Sequence, residues 1–531
     1  MKRSRIAMMG TAIVVLPVAV GGFMMQRREA TDAARLFAQV FARVAADAVD
    51  SVPPDAMYEK AARGLVRSLN DPYADLYSPQ ELASFSRNSL GNAYGGVGML
   101  IEDQQGTFTV AKVYPHTPAE AGGVQLGDHI VSVNGVATKG LKLEGVSGRL
   151  TGTPGSNVTV TFARGGVAQP IESQFTRAVV HIPAVPYALM LDERIGYIPV
   201  QKFNETSGEE VEAALRQLAG QGAKSFVLDL RGNGGGDFDE SLRMANLFLK
   251  RGSDIVTVRS RTSAPVVSRA VEQPIVPDAP LVVLTDGYTA SASEIVAGSL
   301  QDHDRGVIIG TTSFGKGLVQ TLFTLEGGWA LKMTTGKWFT PSGRSIQRER
   351  KLLEDGRLVE VIPDSLETDS VRKARPAFKS DVGRVVYGGG GITPDVIIPS
   401  DTITDAEQTF LKALAPKSQE SYLVLYQTAL EQKKAVAPTF TVSQAWRDSV
   451  YARLTRAGVQ VTRSQFDAAR NLIDRDLERR VASMAFGDSA AFRRSVSYDT
   501  QLRRAIDLLH SAGNQRELLA AVAPAPRPRS D

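Results

Sequence analysis

The sequence predicts a multidomain α/β protein. A small β-rich module is set between a helical N-terminal segment and a strand–helix core, and a helical C-terminal extension follows. Three observations predict this. Near-continuous apolar runs, Phe226–Leu230 and Leu281–Thr285, alternate with helical stretches between about 190 and 345, as in a sheet covered by helices. Short β-favouring runs broken by glycine and proline fill 91–178. The chain has 531 residues, of which 43% are apolar and 22% charged. That is ordinary globular usage, enough for several domains, and it excludes a mainly disordered or polytopic membrane chain.

The elements follow in order. Residues 1–28 read as a signal segment. Lys2, Arg3 and Arg5 precede a 20-residue uncharged run from Ile6 to Met25, long enough to span a bilayer. A cleaved signal peptide wants a small-residue cleavage site. Met24, Met25, Gln26, Arg27 and Arg28 follow instead, which favours a retained anchor in the cytoplasmic membrane. The basic residues before the run keep the N-terminus inside, so the rest lies in the cell envelope, on its periplasmic or extracytoplasmic side.

Residues 29–90 read as helical, with Leu36, Val40, Val44 and Val49, then Met57, Ala61, Leu65 and Leu69, at helical spacing. Ser78-Pro79 is a helix start. Residues 91–178 form the β-rich module and 179–400 the core. Within the core, 348–390 is charged and weakly patterned, as an insertion would be. From 401 to 531 the pattern is helical, with Leu502, Ile506 and Leu509 in phase and a proline-rich tail.

Charge and composition limit the function. There are 61 basic and 57 acidic side chains, and no clustered basic stripe, so a nucleic-acid partner is not expected. With no cysteine and five histidines, thiolate metal sites and a cysteine nucleophile are excluded. Multi-histidine metal sites are not expected, and no cofactor is called for.

Three motifs could carry chemistry. Ser291-Ala292-Ser293-Glu294, at a strand-to-helix turn, fits a capping box. It equally fits a nucleophilic serine beside the free N–H groups of a helix start. Gly310 to Gly317 matches seven of eight positions of a phosphate-binding loop. It has Gly317 where Ser or Thr should hold Mg²⁺, and β-favouring residues follow where a helix should. What remains is Lys316 in a glycine-rich turn. Arg231-Gly232-Asn233-Gly234-Gly235-Gly236 after a strand fails the dinucleotide spacing. It reads as a tight turn or as an anion-binding nest.

Taken together, these motifs resemble the carboxyl-terminal processing peptidases, over about 31–400. "DLRGNGGG", "TASASEIVAGSLQD", "TSFGKGLVQ", "FTPSGRSIQ" and "GITPDVIIP" stand in that family's order, and "SLNDPYADLYSPQE" matches its N-terminal helical segment. The β-rich module resembles a PDZ domain in "YGGVGML" and "PAEAGGVQLGDHIVSVNGV".

The resemblance implies a ClpP/crotonase-like protease core with an inserted PDZ domain. It implies a serine endopeptidase with Ser291 as nucleophile, Lys316 as base and Gln320 orienting the lysine. Ala292 and Gly235 N–H groups would hold the oxyanion, with Glu294 supporting. In the PDZ-like loop, Gly96, Val97 and Gly98 would receive the C-terminal carboxylate of protein or peptide substrates. The C-terminal extension could make the chain a homodimer. Two rivals stand beside this: a Ser-His-Asp arrangement through His303, and a non-catalytic PDZ scaffold or chaperone on a protease fold.

Overall fold

A computed structural model describes residues 32–86, 91–104, 106–164, 167–352, 358–360, 369–399 and 403–523. The expected signal segment 1–28 and the tail beyond 523 lie outside the described residues. Among the described residues no helix is long and apolar enough to cross a membrane.

The chain divides into two units. The first holds the residues up to Pro79 together with Thr321–Thr334. Residues 32–47 are helical, and a second helix spans Pro54–Arg67. Phe41 of the first stacks on Tyr58 of the second, with ring centroids 4.3 Å apart. A strand, Asp75–Tyr77, pairs antiparallel with residues 330–332. Arg63 joins these parts by donating to Leu76 O at 2.7 Å. The expected apolar stripes are helical except at Val49 and Leu69, which lie past the helix ends, and they are mostly not buried. Leu36, Val40, Val44, Leu65 and Leu69 are all exposed, whereas Met57 is buried.

The second unit, Gln80–Gln320 with Thr335–Asp531, begins with the β-rich module. Its antiparallel sheet runs β1 (Met99–Gln104), β2 (Thr107–Val113), β3 (His129–Val133), β4 (Asn157–Ala163), β5 (Ile171–Thr176) in spatial order. β4 shows why these residues form strands. Val158, Val160 and Phe162 are buried while the residues between them are not, so a period of two matches the pleat. Helix α1 (Leu143–Leu150) adds Val146 and Leu150 to that core.

The larger sheet runs β6 (Leu189–Met190), β7 (Ile195–Pro199), β8 (Ser225–Asp229), β9 (Leu281–Thr285), β10 (Val307–Gly310), β11 (Val396–Ile397). All neighbours are parallel except β6 against β7. Every residue of β8, β9 and β10 is buried, as central parallel strands covered on both faces require. One face carries α2 (Ser207–Gly220), α3 (Phe238–Asn246) and α4 (Ala292–Asp302).

The C-terminal helices do two different things, which the sequence pattern did not separate. Past α5 (Ser418–Gln432), α6 (Arg470–Phe486) and α7 (Asp488–Ser495), the chain returns to the sheet as α8 (Thr500–His510) and α9 (Gln515–Val522). Leu502, Leu508, Leu509 and Leu518 pack against Val227, Val282, Leu284 and Ile309. The region expected as an extension therefore supplies the second covering layer of the core. A separate core of Phe410, Val450, Leu454, Phe466, Ile473 and Leu477 lies between.

The region expected as an insertion is also partly core. Arg384 pairs with Asp304 and Asp395, both at 2.5 Å. Arg348 is buried and donates to Ser313 O and Gly390 O. These two arginines are spent inside the fold, while Lys373, Lys379 and Asp381 face solvent.

Candidate active site

Ser291 stands at the turn from β9 into α4 with φ 56° and ψ −114°. A non-glycine residue at positive φ carries strain of roughly 1–3 kcal/mol and persists only where its surroundings over-determine it. They do so here. All eleven residues of α4 are buried. Ala290 N–H donates to Asn233 O at 3.0 Å, and Ser293 Oγ donates to the same carbonyl at 3.0 Å. Ala292 is the first helical residue, so its N–H has no intrahelical acceptor.

Glu294 is the hub of the site and is completely buried. Its Oε2 accepts from Ser291 N–H and from Lys316 N–H, each at 2.8 Å. Its Oε1 accepts from Gly315 N–H at 2.6 Å and Ser313 Oγ at 2.5 Å. Two nitrogens each 2.8 Å from one oxygen are at most 2.8 + 2.8 = 5.6 Å apart. The backbones of Ser291 and Lys316, 25 positions apart in sequence, are therefore neighbours. Burial pushes the Glu294 carboxyl above the usual carboxylate range, against the opposite pull of Ser313 and the three backbone donors.

The Lys316 turn is held from every side. Phe314 N–H donates to Thr289 O at 2.9 Å, and Gly317 N–H donates to Gln347 Oε1 at 2.8 Å. Trp338, fully buried, donates from Nε1 to Lys316 O at 3.1 Å and from its backbone to Gly317 O at 3.0 Å. The guanidinium of Arg350 lies 3.7 Å from the centre of the Phe314 ring. The N–H groups that a phosphate-binding loop would offer are thus committed to protein acceptors, two of them to a carboxylate. A strand, not a helix, starts at Leu318. Gln320 lies in it, half-buried.

The glycine loop closes the other side. Asn233, fully buried, donates from Nδ2 to Val200 O at 2.8 Å. Gly235 has φ 93°, and a Cβ there would lie 2.7 Å from Ala290 O, 2.9 Å from Ser291 Cβ and 3.0 Å from Ala292 N. Only glycine allows so close an approach to the serine turn. The Gly235 N–H, expected to face an oxyanion, donates instead to Asn233 Oδ1 at 2.9 Å.

His303 is not part of this constellation, which corrects the Ser-His-Asp alternative. It caps the far end of α4, eleven residues and about 16 Å along the helix from Ala292. Both its ring nitrogens are taken, Nδ1 by Asp381 at 2.8 Å and Nε2 by Asp254 O at 2.7 Å.

In the β-rich module, Val97 O accepts from Ala119 N–H at 2.7 Å and Gly98 O from Tyr114 N–H at 2.9 Å. A trans peptide points its N–H opposite to its C=O, so the N–H groups of Gly98 and Met99 face away from those donors. Gly96 pairs with Ala178, and Gly98 has φ 90°, with Thr117 packed against it. Among the described residues β1 is an edge strand, paired only with β2.

Asn233, Trp338 and Gln347 were not foreseen from the sequence. The asparagine between two glycines was the one available signal, because a side chain there must turn back on its own loop.

Two family models match. Peptidase family S41 covers residues 194–358 and a PDZ domain covers 109–164. A carboxy-terminal-processing protease of Bartonella bacilliformis is 36% identical over 316 residues, spanning 59% of this chain and 72% of the relative. The chain belongs to the carboxy-terminal processing proteases of family S41. It is thus a serine peptidase with a PDZ domain. Bacillus subtilis carboxy-terminal processing protease CtpA is 32% identical over 311 residues, covering 59% of this chain and 66% of that one. Among solved structures, a photosystem II D1 C-terminal processing protease is 31% identical, with a TM-score of 0.35, over 60% of this chain and 89% of that one. The S41 match begins just before β7 and contains Ser291, Lys316 and Gln320.

Proposed function

We propose that this S41 peptidase is an endopeptidase with a Ser291–Lys316 dyad, acting on proteins chosen by their C-terminal tails. The observation that carries the dyad is the shared carboxylate oxygen of Glu294, which keeps the two backbones within 5.6 Å, the sum of two 2.8 Å bonds. Ser291 Oγ attacks the substrate carbonyl carbon while neutral Lys316 Nζ takes the hydroxyl proton. The tetrahedral oxyanion receives Ala292 N–H, joined by Gly235 N–H in a bond shared with Asn233 Oδ1. The C–N bond breaks as the lysine ammonium returns its proton to the leaving amine. Water then attacks the acyl ester with Lys316 again as base; the C–Oγ bond breaks as the lysine ammonium returns that proton to Ser291 Oγ, and the acid product leaves. A free lysine holds its proton at neutral pH. Apolar surroundings, to which Ile308 in the core and Val319 packed against it would contribute, would favour the neutral amine. Gln320 orients that amine.

The outward N–H groups at 98 and 99, beside the open edge of β1, suit a chain that docks as an added strand and ends in a carboxylate. Residues 1–28 would hold the enzyme at the outer face of the cytoplasmic membrane. Fractionation of the full chain should recover it with membranes, and recovery as a soluble form starting near residue 30 would show a cleaved signal.

Ser291→Ala tests the central reading. Cleavage of an unstructured protein with a free C-terminus should vanish while the fold, by circular dichroism, is kept. A scaffold or chaperone would retain its function in that variant.

A further inference from the structure

Arg231 opens the glycine loop at a point where two distant stretches of chain meet. Its Nε and Nη2 donate to Asp229 Oδ1 and Oδ2 at 2.9 and 2.6 Å. Its Nη1 and Nη2 donate to Asp499 Oδ1 and Oδ2 at 3.0 and 2.8 Å. Nη1 also donates to Gln501 Oε1 at 3.0 Å. Two carboxylates thus grip one guanidinium in fork-to-fork geometry, which fixes angle as well as distance.

The anchor behind Asp499 is rigid. Asp499 caps α8, accepting from Leu502 N–H at 2.9 Å, and α8 is packed on the sheet through Leu502, Leu508 and Leu509. Gln501 donates to Ile398 O at 2.8 Å, next to the end of β11. On the other side, Asp229 accepts from Tyr197 OH at 2.7 Å. The Tyr197 ring stacks on Phe492 of α7, with centroids 4.1 Å apart.

The loop beyond Arg231 needs such an anchor. Gly232, Gly235 and Gly236 all have positive φ, and glycine has little intrinsic preference to hold such a path. Yet Gly235 must sit against the Ser291 turn within a few tenths of an ångström.

We propose that Asp499 is a positioning residue of the peptidase site, fixing the glycine loop against the Ser291 turn through Arg231. The proposal rests on the serine–lysine reading above. It makes the C-terminal helices part of the catalytic apparatus, 268 positions from the loop they hold. The Arg231 and Asp499 side chains are 20% and 19% exposed. Loss of the Asp499 carboxylate leaves the largely buried guanidinium still paired with Asp229, so no uncompensated charge is left inside and the consequence falls on turnover.

The test uses the full chain. Asp499→Ser keeps a good helix cap but is too short to reach Arg231, while Asp499→Glu keeps the carboxylate. Asp499→Ser should lower kcat about 10- to 100-fold with KM within about twofold of wild type, as misplacement of catalytic groups does. Its melting curve should stay close to wild type, and Asp499→Glu should recover much of the loss. Combined with Arg231→Lys, it should be no worse than the more damaging single change. A kcat within threefold of wild type in Asp499→Ser overturns the proposal, and so does a loss confined to KM. Should the serine variant fail to fold, Asp499→Asn keeps cap and shape, removes only the charge, and is read by the same kcat criterion. Failure of the underlying reading looks different: Ser291→Ala would then retain full cleavage, and the proposal would fall with it whatever the Asp499 variants do.

Discussion

Gly235→Ala perturbs the site at one carbon atom. The added Cβ would stand 2.7, 2.9 and 3.0 Å from Ala290 O, Ser291 Cβ and Ala292 N, where ordinary contact starts at 3.4 Å. The shortfalls are 0.7, 0.5 and 0.4 Å. None of these atoms belongs to a flexible side chain, so the loop and the serine turn must part by about half an ångström. The φ of 93° adds strain, roughly 1–2 kcal/mol for a residue with a Cβ, and overpacking adds about 1–3 kcal/mol. Stability should fall by about 2–5 kcal/mol, and kcat by about 100-fold through the misplaced oxyanion donors. Gly232→Ala is the control. Its φ is 70° and a Cβ there meets nothing within 4 Å, so it carries the strain without the displacement. It should lose about 1–2 kcal/mol and keep kcat within a few-fold. Both are read by thermal melts and by cleavage of a fluorogenic unstructured substrate. Full turnover by Gly235→Ala, or equal damage from both, would refute the reasoning.

Three further outcomes are expected. Lys316→Arg should be as inactive as Lys316→Ala while folding normally, since arginine cannot act as a base. Wild-type activity should climb along a basic limb between pH 6 and 10, and substantial turnover by the arginine variant would remove lysine from the mechanism. Glu294→Gln sets an amide N–H₂ against donors now served by carboxylate oxygens, losing about two of four bonds and about 2–4 kcal/mol. The pH dependence has a definite sign. Burial raises the folded carboxyl above its usual range, so its contribution is complete at low pH and is lost as pH rises through the folded value. The stability gap between wild type and Glu294→Gln, from urea titrations, should narrow upward from about pH 4; a widening gap contradicts the assignment. Amidating the C-terminus of a substrate should slow its cleavage, because the N–H groups at 98 and 99 would meet no carboxylate. Equal rates for amide and free acid would remove the PDZ loop from recognition.

Much of this was legible from local pattern. Phe226–Leu230 and Leu281–Thr285 are strands because unbroken apolar runs suit a sheet buried on both faces. Ser291 and Glu294 declare a helix start, and Lys316 lies in a turn that could not continue as a helix. What stayed hidden depends on residues that meet only in three dimensions. Glu294 satisfies the capping pattern, but nothing local says that the same carboxylate also receives Lys316 and Gly315 N–H. The commitment of Gly235 N–H to Asn233 is set by one side chain's rotamer. Charges between 348 and 390 look solvated until Arg384 is seen between Asp304 and Asp395. Leu502 and Leu509 show a helical apolar face, yet the period does not name the surface it covers. For Leu36 and Val40 the same kind of pattern is left facing solvent.

The covering of the sheet by α8 and α9 also sets a schedule. The last strand, Val396–Ile397, leaves the ribosome 500 − 397 = 103 residues before α8 begins. At synthesis rates of about 5–20 residues per second, that is an interval of roughly 5–20 s. Throughout it, Val227, Val282, Leu284 and Ile309 have no permanent cover on that side. Asp499 is also still unmade, so Arg231 has only Asp229 to hold it. A core assembled in this order shows water one apolar face of its sheet until α8 and α9 are made, and that face is where a nascent chain would stick to its neighbours.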